Sequence, residues 1–161
     1  MSSQGTFNPF PGLRPFQIEE KFLFFGREEQ TSELLTRLRK TRFLAVVGVS
    51  GSGKSSLVRA GLLPELHGGT MTSAGSSWKV AVMRPGGNPL TNLAEALIDA
   101  EINNKDEEHI TSHVRATLGR SGKGLVEVIR QGELSKNTNL LLVVDQFEEI
   151  FRFRRMSGLS E

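Results

Sequence analysis

An α/β fold with a mainly parallel sheet is the class this sequence predicts, on three observations. Short apolar runs rich in β-branched residues alternate with stretches of helical periodicity, the order required by parallel strands and crossover helices. The 161 residues are 37% hydrophobic, which is enough for about one domain-sized core. Finally, the stretch VVGVSGSGKSSL joins an apolar run directly to a helical pattern through spaced glycines.

The elements follow in order. Residues 5–17, GTFNPFPGLRPFQ, interleave Pro9, Pro11 and Pro15 with Phe7, Phe10 and Phe16 and read as an extended arm, placed here at residues 1–25. From Arg27 to Lys40, Leu34, Leu35 and Leu38 form one helical stripe, with basic residues near the end that suits them. Phe43 to Gly48, FLAVVG, predicts a buried parallel strand, followed by a helix from about Lys54. Residues 67–77, HGGTMTSAGSS, read as a loop, and WKVAVMRP from Trp78 as a second strand stopped by Pro85. Helices are expected over 93–102, 107–118 and 125–134. NLLLVVDQFEEIF then supplies a third buried strand ending at Asp145.

Composition excludes several classes. No run approaches the roughly 18–20 apolar residues of a membrane helix, and the N-terminus lacks a signal-peptide pattern, so a cytoplasmic protein is expected. The chain has no cysteine, which removes disulfides and thiolate metal sites. A net charge of +2 with both signs interspersed gives no field for nucleic acid or lipid. His109 and His113 stand four apart, but HITSH lacks the glutamate of a hydrolytic zinc helix, and both read as surface residues. Trp78 reads as strand packing rather than as a base-stacking side chain.

Gly48, Gly53, Lys54 and Ser55 match G-x-x-x-x-G-K-[ST] between an expected strand and an expected helix, the context in which that pattern holds phosphate. Glycines let backbone N–H groups approach phosphate oxygens, and the helix N-terminus adds favourable partial charge. The loop Gly48, Ser50, Gly51, Ser52, Gly53, Lys54, Ser55 and Ser56 is therefore the expected nucleotide cradle. Lys54 is expected on the β- and γ-phosphates and the Ser55 hydroxyl on Mg²⁺. Asp145, closing an apolar run, fits the second metal-positioning acid, and Glu148 or Glu149 could activate a water. Gln146 occupies the position beside Asp145 where many ATPases carry the base, so the choice between the two glutamates stays open.

NPFPGLRPFQIEEKFLFFGREEQTSELLTRLR, VVGVSGSGKSSLVRAGLLPEL, VAVMRPGGNPLTNLAEAL and LLLVVDQFEEIF together resemble the nucleotide-binding part of STAND NTPases. The resemblance is to the novel STAND group of bacterial multidomain proteins, often fused to WD40 repeats, and runs from Asn8 to about Phe153. It is similar to AAA+ and NACHT ATPases and implies a three-layer P-loop NTPase fold over residues 26–161, with ATP or ADP and Mg²⁺ as cofactors. It also implies that Phe25, Gly26 and Arg27, beside Phe24 and Glu28, lie against adenine and ribose; packing of those phenylalanines into the core is the competing reading. In such relatives a sensor strand separates the phosphate-loop strand from the Walker B strand and comes later in the chain. A domain truncated after the Walker B strand, here the one ending at Asp145, and lacking the sensor strand, the helical lid and the effector regions, is thus the expectation. The implied function is an ATP-hydrolysing regulatory switch in signal transduction, with self-association or effector domains in the full-length protein.

Alternatives are a non-hydrolysing nucleotide-binding interaction module and a P-loop kinase. A GTPase would need Asn-Lys-x-Asp after the Walker B strand, whereas NKDE at Asn104 to Glu107 is mis-spaced and comes too early. An ABC ATPase would carry Ser-Gly-Gly-Gln, which is absent. RPGGNP at Arg84 is sufficiently explained as a turn, so Arg84 is not assigned to the site.

Overall fold

A computed structural model describes residues 9, 11–68, 77–102, 109–132, 134–135 and 137–157. The chain divides into two compact units, Met1–Thr72 and Ser73–Glu161. Most of the small-residue loop, the NKDE segment, Phe7 and Phe10 lie outside the described residues.

In the first unit the arm is not extended throughout, because Ile18–Leu23 forms a 3₁₀ helix. Its start is fixed by the Gln17 N–H, which donates to Glu20 Oε2 at 2.9 Å, while the Glu20 N–H donates to the Gln17 carbonyl at 3.1 Å. Helix α1, Glu28–Thr41, buries Leu34, Leu35 and Leu38 and ends on Arg42 in the left-handed region. The expected helix after the phosphate loop is also present, but in three parts: α2 (Lys54–Ser56), a π-helical segment (Leu57–Leu62) and α3 (Leu63–His67). The Leu63 N–H reaches back five residues to the Val58 carbonyl. Pro64 explains the widening, since a proline inside a helix has no N–H to donate and its ring collides with the carbonyl four residues back. Ala60, Gly61 and Leu62 of the π segment are buried, as are Leu63 and Leu66 of α3. The π segment packs against α1.

The expected strand Phe43–Gly48 is the correction. These residues form no ladder with any described residue, and Phe43 is 78%, Val47 89% and Val49 77% exposed. A strand is not a local property; β-propensity favours the extended shape, but only a neighbour supplies the hydrogen bonds.

The second unit supplies the sheet. Strands β1, Ser77–Met83, and β2, Thr138–Val144, pair in parallel with Trp78 opposite Asn139 and Met83 opposite Val144. Two of the three expected strands therefore form, both in parallel. Between them run α4 (Pro89–Asp99), α5 (Ile110–Arg120) and α6 (Gly124–Gln131), each within a few residues of its expected place. Asn88 and Pro89 start α4, where a fixed φ and a missing N–H cost nothing. The core follows the two periodicities: Ala81 and Met83 alternate along β1, while Ala94, Leu97 and Ile98 form a stripe on α4. Ile102, Val114, Leu118 and Val128 complete it, with Leu140, Leu142 and Val144 packed against them. Helix α7, Glu149–Ser157, follows the acidic turn after β2.

Candidate functional site

In the first unit, the phosphate-loop residues lie together. Gly51 and Gly53 have φ of +76° and +83°, a region L side chains rarely adopt, which explains why the loop needs glycine there. Gly53 caps α2, so the following backbone N–H groups point into the loop. The Ser52 N–H donates to the Val49 carbonyl at 3.3 Å and tightens the turn. A Cβ on Gly48 would come within 3.1 Å of Ser52 Oγ and 3.7 Å of Lys54 Cδ. Lys54 Nζ donates to the carbonyls of Gly48 at 2.9 Å and Val49 at 2.8 Å. The ammonium is thus held over the loop by groups that an anion can replace. Ser50, Gly51, Ser52 and Gly53 are exposed, and Lys54, Ser55 and Ser56 are half-buried.

This loop lines a cavity of about 660 Å³. Phe16, Leu23, Phe24 and Phe25 of the arm, and Arg27 just beyond it, line the same cavity. Phe16 and Phe24 meet edge to face with centroids 5.8 Å apart, while Phe25 is 75% exposed. The arm is tied to the helix behind the loop, because the Phe16 N–H donates to Ser56 Oγ at 3.2 Å and Arg59 donates to Gln17 Oε1 at 3.1 Å. Gly26 donates its N–H to Glu28 Oε1 at 3.0 Å. The Glu28 backbone N–H, together with that bond, holds the Glu28 carboxyl below its usual range. Further out, the Arg14 guanidinium, with the Gln17 N–H, lowers the Glu20 carboxyl to about 2. The cavity lies within the roughly 300–1,000 Å³ range of small-molecule sites. Its apolar side chains together with its phosphate-loop residues suit a nucleotide. Phe16, Leu23 and Leu57 were not assigned to the site from sequence; the clue available was the aromatic spacing of the arm.

In the second unit, the parallel register does the positioning. Met83 pairs with Val144, and the Asp145 N–H donates to the Met83 carbonyl at 2.9 Å, so Arg84 and Asp145 leave the sheet side by side. Arg84 Nη2 and Nε approach Asp145 Oδ2 at 3.3 and 3.4 Å. The Asp145 side chain is only 12% exposed, against 48% for Arg84. Asn92 on α4 donates to the carbonyls of Arg84 and Pro85, both at 3.0 Å, and fixes the turn. The Gly86 N–H donates to Glu149 Oε2 at 2.9 Å. Gln146 takes a left-handed φ of 57°, and Glu148 is exposed. Arg84, left out on sequence grounds, therefore stands on the acid, and Glu149 holds the turn that carries Arg84. Only the strand register reveals this pairing.

Among the described residues no cluster of three or more His, Cys, Asp or Glu could hold a metal, and His109 and His113 are exposed. Asp145 by itself offers the kind of carboxylate that Mg²⁺ takes together with phosphates and water. No helix among the described residues is long and apolar enough to cross a membrane. No curated protein and no solved structure matches the chain. A family model does match, that of novel STAND NTPase 1, over residues 9–158. This match spans the arm, the phosphate loop, both strands and the acidic turn, and the chain belongs to the novel STAND NTPase 1 family.

Proposed function

We propose that this chain is an ATP- and ADP-binding regulatory module whose phosphate loop, Gly48 to Ser56, holds the nucleotide with Mg²⁺. The observation that carries the reading is the cavity lined both by Lys54 and the loop glycines and by phenylalanines of the arm. Phosphate oxygens would take over the Lys54 ammonium from the Gly48 and Val49 carbonyls, an exchange of neutral acceptors for charged ones. Ser55 would offer its hydroxyl to the metal and Asp145 its carboxylate, while Phe25, Gly26 and Arg27 would lie against the base and sugar. Bound Mg²⁺ neutralises phosphate charge.

For hydrolysis, Glu148 is the better candidate to activate water. Its side chain is exposed, whereas the Glu149 carboxylate accepts the Gly86 N–H. In the full-length cytoplasmic protein, exchange of ADP for ATP would shift neighbouring modules and promote self-association, because only ATP contacts the loop through a γ-phosphate. A non-hydrolysing binding module is the second reading, favoured by Gln146 beside Asp145 and by the engaged Glu149.

Calorimetric titration of Mg·ATP and Mg·ADP into the chain, with Lys54→Ala alongside, tests the site. Saturable binding that the substitution weakens at least tenfold is expected. Equal binding by Lys54→Ala would overturn the phosphate-loop assignment. Phosphate release without an added acceptor separates hydrolysis from both the binding module and a kinase.

A further inference from the structure

We propose that Arg84 is a built-in counter-cation of Asp145, a positioning residue that a divalent ion must displace before the carboxylate can serve it. This rests on the reading of Asp145 as a metal-positioning acid. Three observations carry it. Both approaching guanidinium nitrogens address the same carboxylate oxygen, Oδ2, at 3.3 and 3.4 Å. That carboxylate is almost covered, so a nearby charge is screened less than at an open surface, while Arg84 keeps 48% of its side chain in solvent and has room to leave. The turn behind Arg84 is pinned twice, by Asn92 on the Arg84 and Pro85 carbonyls and by Glu149 on the Gly86 N–H. Its side chain can therefore move while its backbone stays.

A cation on Asp145 stabilises the carboxylate without metal and opposes metal entry, so the pair sets a threshold on divalent binding. Glu149 enters as the support of that device, because it holds the turn rather than the ion. The latch also explains why a flexible, long-stemmed arginine occupies a turn that Pro85, Gly86 and Gly87 would otherwise form unaided.

The test is the ratio of ADP affinity with Mn²⁺ to that in EDTA, measured on the full chain and its variants. Arg84→Gln is expected to raise this ratio about two- to fivefold, the range of a partly exposed ion pair. Arg84→Lys, which keeps a cation, is expected to stay near the parent. ADP affinity in EDTA is expected to stay within twofold of the parent in both, which a general loss of structure would not produce. Arg84→Met, which keeps the aliphatic stem, replaces Arg84→Gln if that variant does not fold. A ratio unchanged or lowered by removing the cation, while Asp145→Asn abolishes the Mn²⁺ effect, overturns the latch and leaves the reading of Asp145 intact. A ratio unaffected by Asp145→Asn overturns both.

Discussion

Gly61 is the point where the π segment meets α1, and replacing it tests that packing with a reversal of sign. A Cβ there would lie 2.6 Å from Thr31 Oγ1, where ordinary contact begins near 3.4 Å, so the two must part by about 0.8 Å. Thr31 is β-branched and short, which leaves it little room to swing away. Overpacking of this kind costs about 1–3 kcal/mol. Alanine returns about 1 kcal/mol through helix propensity, so Gly61→Ala should destabilise by about 1 kcal/mol net. In a Thr31→Ala background the obstructing oxygen is gone, and the next contacts, Leu57 Cδ1 at 3.5 Å and Phe24 Cε1 at 3.6 Å, are ordinary. There, Gly61→Ala should stabilise by about 1 kcal/mol. Urea unfolding followed by far-UV circular dichroism on the four chains gives the cycle. An equal loss in both backgrounds would refute the contact as the reason for glycine.

Two other expectations concern the arm and the core. The Glu20 carboxyl is held at about 2 by Arg14 and the Gln17 N–H, so folding gains from its ionised form above the usual carboxylate range. That gain is lost as pH falls from about 4.5 towards 2. Carboxyl-carbon NMR should find the low midpoint in the parent and a higher one in Arg14→Ala; an ordinary midpoint in the parent would contradict the ion pair. Leu97 is fully buried on α4, and Leu97→Ala should cost about 2–5 kcal/mol. Leu90→Ala, on the same helix but 44% exposed, should stay within about 0.5 kcal/mol. Trp78 fluorescence follows both, and equal effects would contradict the assigned core.

The parts of this chain legible in sequence are those whose physics is local. Leu34, Leu35 and Leu38 announce α1 by spacing and Gly48 to Ser55 announce the loop, whereas Asn88 and Pro89 read as part of the RPGGNP turn and so hide the first residues of α4. The FLAVVG run fails as a strand because its composition specifies extension but not a partner. The 3₁₀ helix at Ile18–Leu23 escapes because it rests on reciprocal bonds between Gln17 and Glu20 rather than on an apolar stripe. Arg84 was readable only as part of a turn; its approach to Asp145 depends on which residue of β1 lies beside which residue of β2.

The π segment has a consequence for how this stretch of chain can change length. Bonds spanning five residues accommodate one residue more than an α-helix of the same rise, so Leu57–Leu62 is in effect a stored insertion. Deleting one residue there would let the helix close into regular α geometry with its phase nearly kept, because five residues at about 100° each turn the chain about as far as six in the wider turn. Leu63 and Leu66 would keep their buried face relative to Lys54, but Pro64 would meet the carbonyl that the wider turn now spares. The extra residue is therefore what lets a proline sit in this stretch without turning the core face away from the loop. Shortening the stretch by one residue is costly through Pro64, not through loss of register.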